Sequence, residues 1–219
     1  MKKFIYGLII SFFLASCSSS EKKNEELKTF AIETGVSLDS TPKTEISKST
    51  IIDIQPFEGI PENLVNHIYT ELCKIHPSVT LLKPIPLPKR AYYAPRNRYR
   101  ADTLIFLLRS ATKDGHVTMG LTNKDISSDK GIIIDYGIMG LGYQPGKACV
   151  VSPFRLSKKN LNEQFFKVAI HELGHTQGLP HCPVKSCLMT DANGKNNTDK
   201  ENGFCEKCKA YLVTKRWKL

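Results

Sequence analysis

Apolar positions fall along the chain in two periods, and their order predicts an α/β domain. Ile51-Ile52-Asp53-Ile54-Gln55 is a β-branched run that predicts a strand, and Pro61 then opens a helix to about Cys73. Val79 to Leu82 predicts a short strand, followed by a connection broken by Pro84, Pro86 and Pro88. Ala101 to Thr112 carries Leu104, Ile105, Leu107 and Leu108 and predicts a second helix. His116 to Leu121, Gly131 to Tyr136 and Ala148 to Val151 predict strands. Phe166, Ala169, Ile170 and Leu173 then recur at i, i+3, i+4 and i+7, the stripe of a helix with one face in the core. Asn160 is the expected N-cap of that helix, with Glu163 three residues on in the manner of a capping box. A short helix is expected over Cys205 to Arg216. Strands that alternate with helices in this way give α/β organisation.

The first residues do not share this patterning. Lys2 and Lys3 precede a short apolar stretch, Phe4 to Leu14, which is too short to span a bilayer as a mature helix. Leu14-Ala15-Ser16-Cys17 places small residues directly before a cysteine, the form of a bacterial lipoprotein signal cleaved ahead of a cysteine that becomes lipid-modified. An ordinary secretory signal or an uncleaved anchor are the competing readings. The expected division is a signal over 1–16, an acylated Cys17 and tether over 17–48, and a folded domain over 49–219. The tether is rich in Ser, Lys, Glu and Thr, has little apolar surface to bury, and would reach at most roughly 100 Å when extended. The expected location is the bacterial cell envelope, with the membrane reached through the lipid. Ser18, rather than an aspartate, fits the outer membrane by resemblance to known sorting patterns.

Composition adds one globular domain with attachments: 219 residues, 41% hydrophobic and 24% charged. The formal charge is +10, two units of it on Lys2 and Lys3. Lys89 to Arg100 interleaves basic residues with Tyr92, Tyr93 and Tyr99, as nucleic-acid sites do. An exported chain seldom meets nucleic acid, so the reading is a basic loop facing anionic lipid or acidic substrates, with no nucleic-acid partner. Gly140-Leu141-Gly142 lacks the third glycine and the following helix of a nucleotide loop. His67, His76 and His116 read as surface or satisfied, partly buried histidines.

The chemistry concentrates in His171-Glu172-Leu173-Gly174-His175-Thr176-Gln177-Gly178-Leu179-Pro180-His181, of the form H-E-x-x-H-x-x-G-x-x-H. On a helix, His171 and His175 leave the same face and can bind one zinc ion. Glu172 is rotated off that line, so it can act as a base without ligating the metal. Gly178 can take the left-handed conformation that ends a helix, and Pro180 cannot continue one, so the chain can turn and return His181 as a third ligand. Three neutral nitrogens leave the fourth position open, as a hydrolytic zinc requires.

Cys182, Cys187, Met189 and Cys205-Glu206-Lys207-Cys208 follow. The whole pattern, H-E-x-x-H-x-x-G-x-x-H-C-x4-C-x-M and then C-x-x-C, closely resembles the archaemetzincins, a branch of the metzincin zinc peptidases. Weaker likeness reaches back to about residue 50 through Gln55-Pro56, Arg96-Asn97-Arg98-Tyr99 and Val150 to Leu156. The resemblance implies a zincin-like α/β fold, with a twisted mixed sheet packed on the active-site helix and a C-terminal helix beside a four-cysteine zinc site. It implies a peptidase acting on peptides or proteins, with two zinc ions per chain: a catalytic one on His171, His175 and His181, and a structural one on Cys182, Cys187, Cys205 and Cys208. It also implies that Met189 forms a Met-turn beneath the metal. Two disulfides compete with zinc at the four cysteines, because export exposes thiols to oxidation. Zinc bound early would protect them, and two close pairs are familiar zinc spacing. Cys73 and Cys149 are left as buried thiols or as one disulfide. The rival to an enzyme is a non-catalytic, zinc-stabilised peptide-binding lipoprotein, against which the presence of Glu172 argues.

Overall fold

The β-branched run after Thr50 becomes strand β1, Ile51–Pro56, in a computed structural model that describes residues 50–219. The expected signal, Cys17 and the tether lie outside the described residues. Helix α1 spans Glu62–Ile75, β2 Val79–Leu81, β3 Tyr92–Tyr93, β4 Arg98–Arg100 and α2 Ala101–Ala111. Strands β5 to β9 then cover His116–Leu121, Ile126–Lys130, Ile133–Ile138, Gly140–Gly142 and Ala148–Val151. Helices α3, Leu161–Thr176, and α4, Glu206–Thr214, complete the order. Among the described residues no helix is long and apolar enough to cross a membrane.

The main sheet has the order β2-β1-β5-β9-β8. Its first four strands run parallel, and β8 closes one edge antiparallel to β9. Parallel strands need cover on both faces, and the residue alternation supplies it. Val117, Met119, Leu121, Cys149 and Val151 face a core shared with α1 and α3. Ala148 and Val150 point the other way, into a core with α2, Phe57 and Ile126. Gly120 sits on that second face because a Cβ there would lie 2.7 Å from Leu108 of α2. The result is a mixed α/β fold with a twisted mixed sheet over the helix that carries the histidines, as expected.

A second sheet, β3-β4-β6-β7, departs from the sequence reading. The strand expected from Gly131 begins only at Ile133, and Ile132 is a turn residue, 99% exposed. The apolar run there suggests a buried strand, but pairing with the polar β6 decides its position. The basic segment is no loop either. Arg98 donates from Nε to Asp125 Oδ2 at 2.7 Å and from Nη1 to Asp135 Oδ2 at 3.1 Å. Arg100 lies 2.8 Å from Asp129, and Arg155 grips Asp125 through Nε and Nη2 at 2.7 and 2.8 Å. Arg98 and Arg155, meeting on Asp125, therefore tie the second sheet to the loop after β9, while Lys89, Arg90 and Arg96 of the same basic segment are exposed.

Helix α3 is buried more widely than its stripe. Val168, Ala169, Ile170 and Leu173 are core, Phe166 is half-buried, and Phe165 and Gln164 are buried as well. Gln164 is admitted because its amide is satisfied: Oε1 accepts from Ser157 N and Asn196 Nδ2, and Nε2 donates to Asp199. Asn160 is the N-cap residue, yet no capping box forms. Its side chain makes no cap bond, and Glu163 turns instead to Lys167 at 2.8 Å, the i,i+4 partner.

Candidate active site

Three imidazoles meet below β8. His171 and His175 leave one face of α3, and their Nε2 atoms lie 3.1 Å apart. The helix ends at Thr176, and Gly178 has φ +105, the left-handed turn expected of it. His181 returns on the following segment, so that one nitrogen from each ring lies within 4.8 Å of the others. Tyr211 of α4 braces the turn, donating its hydroxyl to Gln177 O at 2.9 Å.

Backbone carbonyls decide which nitrogens are free. His171 Nδ1 contacts Leu188 O at 2.6 Å, and His175 Nδ1 contacts Leu179 O at 2.8 Å. A carbonyl can only accept, so both Nδ1 atoms carry the proton and both Nε2 lone pairs face the shared space. Burial, followed by the neighbouring His175, pushes His171 down to about 4, and burial lowers His175 as well. The rings are therefore neutral, the form that ligates metal. Tetrahedral zinc with bonds of about 2.0–2.1 Å needs nitrogens about 3.3 Å apart, close to what His171 and His175 present. The donor set fits zinc.

Glu172 is buried, 7% exposed, and lies under β8 with Gly142 N–H bonded to its carboxylate. Burial pushes its carboxyl up to about 8, the Gly142 N–H working against the shift. The Gly140-Leu141-Gly142 stretch, unpromising as a nucleotide loop, has its explanation here. A Cβ at Gly140 would stand 2.6 Å from the Glu172 side chain, and one at Gly142 would stand 2.6 Å from the Glu172 carbonyl. Only glycine lets the edge strand come this close to the helix. Met189 is fully buried, and a Cβ on Gly174, between the two histidines, would meet its sulfur at 2.6 Å. The thioether thus packs directly beneath the histidine pair.

The four cysteines also converge, their sulfurs within 4.8 Å of one another. Cys182 and Cys205 are 3.7 Å apart, where tetrahedral zinc with bonds of about 2.3 Å needs sulfurs about 3.8 Å apart. Cys205 is the N-cap residue of α4, and the Cys208 backbone N–H is the first cause drawing its thiol down to about 7. Cys187 Sγ accepts from Met189 N and Cys205 N. Cys73 and Cys149 are unpaired thiols, one exposed and one buried. Of the other histidines, His116 pairs with Asp53 at 2.7 Å, and His76 is buried against Trp217.

The histidine cluster opens on a cleft of about 590 Å³ between β7, β8 and the segment 190–201. Sequence reasoning missed β8, the two orienting carbonyls and the acid Glu201 on the cleft wall. A glycine at every second position was a readable sign of close approach, but carbonyls leave no trace in sequence.

Comparison with known proteins agrees with this geometry. The profile of peptidase family M54 matches residues 51–214. Archaemetzincin from Archaeoglobus fulgidus is 32% identical over 166 residues, covering 74% of this chain and 98% of that protein. Archaemetzincin from Methanopyrus kandleri is 33% identical over 134 residues, covering 59% of this chain and 74% of that protein. The crystal structure of the Archaeoglobus fulgidus protein complexed with malonate superposes with a TM-score of 0.64 at 30% identity, over 73% of this chain and 98% of its own. That of the Methanopyrus kandleri protein also gives 0.64, at 26% identity, over 78% and 96%. A profile spanning nearly all of the described domain, on a fold that gathers three imidazoles under an edge strand, leads to one assignment: the chain belongs to peptidase family M54 and is an archaemetzincin-like zinc metallopeptidase.

Proposed function

We propose that this enzyme hydrolyses peptide bonds at the histidine cluster, with His171, His175 and His181 holding zinc and Glu172 as general base. The observation that carries the reading is the convergence of three imidazoles beside one buried carboxyl group. When bound there, zinc supplies a Lewis acid that lowers the pKa of water from about 16 toward 7 and polarises the scissile carbonyl. Glu172 takes the proton from the attacking water and delivers it to the leaving amine. Gly142 N–H fixes the carboxylate for that task. Leu188 and Leu179 hold the histidine rings through their carbonyls, and Met189 supports them from below. Cys182, Cys187, Cys205 and Cys208 hold a second, structural zinc, so the chain carries two.

We also propose that the mature protein is anchored in a bacterial envelope, in the outer membrane, through lipid on Cys17. The support is the order Leu14-Ala15-Ser16-Cys17 and the polar stretch after it. A peptide-library digest by the purified chain, with and without chelator and read by mass spectrometry, tests the activity: cleavage that stops with chelator and returns with zinc is expected. No cleavage of any peptide would favour a binding module. Cys17→Ser should abolish acylation and detergent partitioning, and a soluble mature protein with an unmodified residue 17 would end the anchor.

A further inference from the structure

The cleft wall carries an acid that neither the zinc cluster nor the general base uses. Lys167 is four residues before His171, one turn away on the same face of α3, and both line the cleft. An ammonium group has three donors. Lys167 directs its own to the Glu163 carboxylate at 2.8 Å, to Thr198 O at 3.0 Å and to Glu201 O at 2.8 Å. It holds the backbone of Glu201, and none of these contacts is to the Glu201 carboxylate.

The other charges of the cleft are also engaged. Asp129 pairs with Arg100 at 2.8 Å, and Arg155 with Asp125 at 2.7 Å. Lys130 lies over the Tyr136 ring at 5.1 Å. Asp191 accepts from Asn193 N at 2.8 Å and lies 3.9 Å from His181. Glu172 has the Gly142 N–H. Glu201 stands apart: the residue is 6% exposed, it lines the cleft, and among the described residues its carboxylate makes no hydrogen bond or ion pair. A largely buried carboxylate that makes no hydrogen bond and has only the nearby Lys167 charge to offset it is costly to the free protein, and a cation that fills the space relieves that cost.

We propose that Glu201 determines specificity: its carboxylate receives a cationic group of the peptide substrate, the ammonium or guanidinium of a lysine or arginine side chain or a free amino terminus. The inference rests on the peptidase reading for the nature of the ligand. A peptide seated over the histidines sends a flanking group along α3 toward Lys167 and Glu201. The charge there selects a cation, while Thr198 O and Glu201 O already accept from Lys167.

The test is peptide binding to the full, zinc-loaded chain carrying Glu172→Gln to suppress turnover, followed by fluorescence anisotropy with C-terminally labelled peptides. One arm compares acetylated peptides containing Lys or Arg with the same peptides containing norleucine or citrulline. A second arm compares neutral peptides with free and acetylated amino termini. Charged peptides should bind about ten- to a hundredfold more tightly than their neutral counterparts in one arm. Adding Glu201→Gln should erase that preference and leave neutral-peptide affinity within about twofold. A preference in the first arm assigns a side chain, and one in the second assigns the amino terminus. Equal binding of charged and neutral peptides, a preference that survives Glu201→Gln, or no binding of any peptide overturns the proposal. Absence of cleavage by the wild type would instead remove the peptidase reading, with the anisotropy comparison still deciding for Glu201. Melting curves of Glu201→Gln confirm that the comparison is made between folded proteins.

Discussion

Replacing Glu172 by glutamine tests the general base with little else disturbed. The amide matches the carboxylate in size and keeps an oxygen for Gly142 N–H, so β8 has no reason to move. The histidine rings are held by Leu188 O and Leu179 O, neither of which depends on Glu172. Metal content and fold should therefore survive. The variant loses proton transfer, typically worth about 10²–10⁴-fold, or about 3–5 kcal/mol of barrier. One amide N–H left without a partner under β8 costs about 1–3 kcal/mol, a shift of several degrees in melting temperature for a domain of this size. The assay is kcat/KM on the best library peptide, with zinc per chain by mass spectrometry and a thermal melt on the same sample. His175→Ala is the contrast: it should lose catalytic zinc and activity together. Activity of Glu172→Gln within tenfold of wild type, with zinc retained, would refute the base. Loss of zinc from the variant would show that Glu172 belongs to the metal's own shell.

The remaining expectations follow from single contacts. Cys205→Ser should lower bound zinc from about two ions per chain to about one and reduce the melting temperature, and finding all four cysteines as disulfides in the wild type would decide against metal there. Gly142→Ala places a methyl 2.6 Å from the Glu172 carbonyl, a backbone atom that cannot swing aside. It should cost about 1–3 kcal/mol in a thermal melt and lower kcat, and an unchanged protein would mean that β8 has slack. Burial pushes the Glu201 carboxyl up to about 7 from an ordinary 4.5, with Lys167 pulling it down. The folded chain then keeps a proton that the unfolded chain releases between about pH 4.5 and 7, so stability falls as pH rises through that window and levels above it. Glu201→Gln should gain melting temperature relative to wild type from pH 5 to pH 7.5, and a constant difference would count against a buried charge.

What could be read from the sequence were the features that local geometry converts directly into structure. A spacing of four puts His171 and His175 on one face, and a glycine after the last turn returns His181, whatever the surrounding fold. The main-sheet strands β1, β5 and β9 were legible because they are almost wholly buried and rich in β-branched and other apolar residues. Strand β6 was not, because Ile126-Ser127-Ser128-Asp129-Lys130 has one apolar residue and exists as a strand through its partners β4 and β7. The Arg98–Asp125–Arg155 cluster joins residues far apart in the chain, and sequence shows charges but not their pairing. Glu163 illustrates the same limit at short range: the capping-box spacing was present, and Lys167 one turn on took the carboxylate instead.

The order of residues after α3 would couple the histidine cluster to the zinc proposed at the four cysteines. Cys182 directly follows His181, and Cys187, Leu188 and Met189 are consecutive. Cys182 is therefore bonded directly to the third histidine and Cys187 to Leu188, whose carbonyl orients His171, with the thioether under Gly174 one residue further on. Cys182 N donates to Met189 O at 2.7 Å, which closes the segment into a loop, and Leu188 N donates to Gly203 O at 2.9 Å, which ties it to the chain leading into Cys205. A loop held only by these bonds would open locally with little free energy. Four sulfurs on one ion would clamp it from both sides and to α4, whose Tyr211 also braces the turn at Gln177. Losing Cys205 should consequently weaken zinc at the histidines as well, although Cys205 belongs to the other cluster. Titration of catalytic zinc into Cys205→Ser should show affinity reduced by about 10–100-fold, the range for groups that orient a metal's ligands. Unchanged affinity would make the four-cysteine site a staple for the C-terminal helix alone.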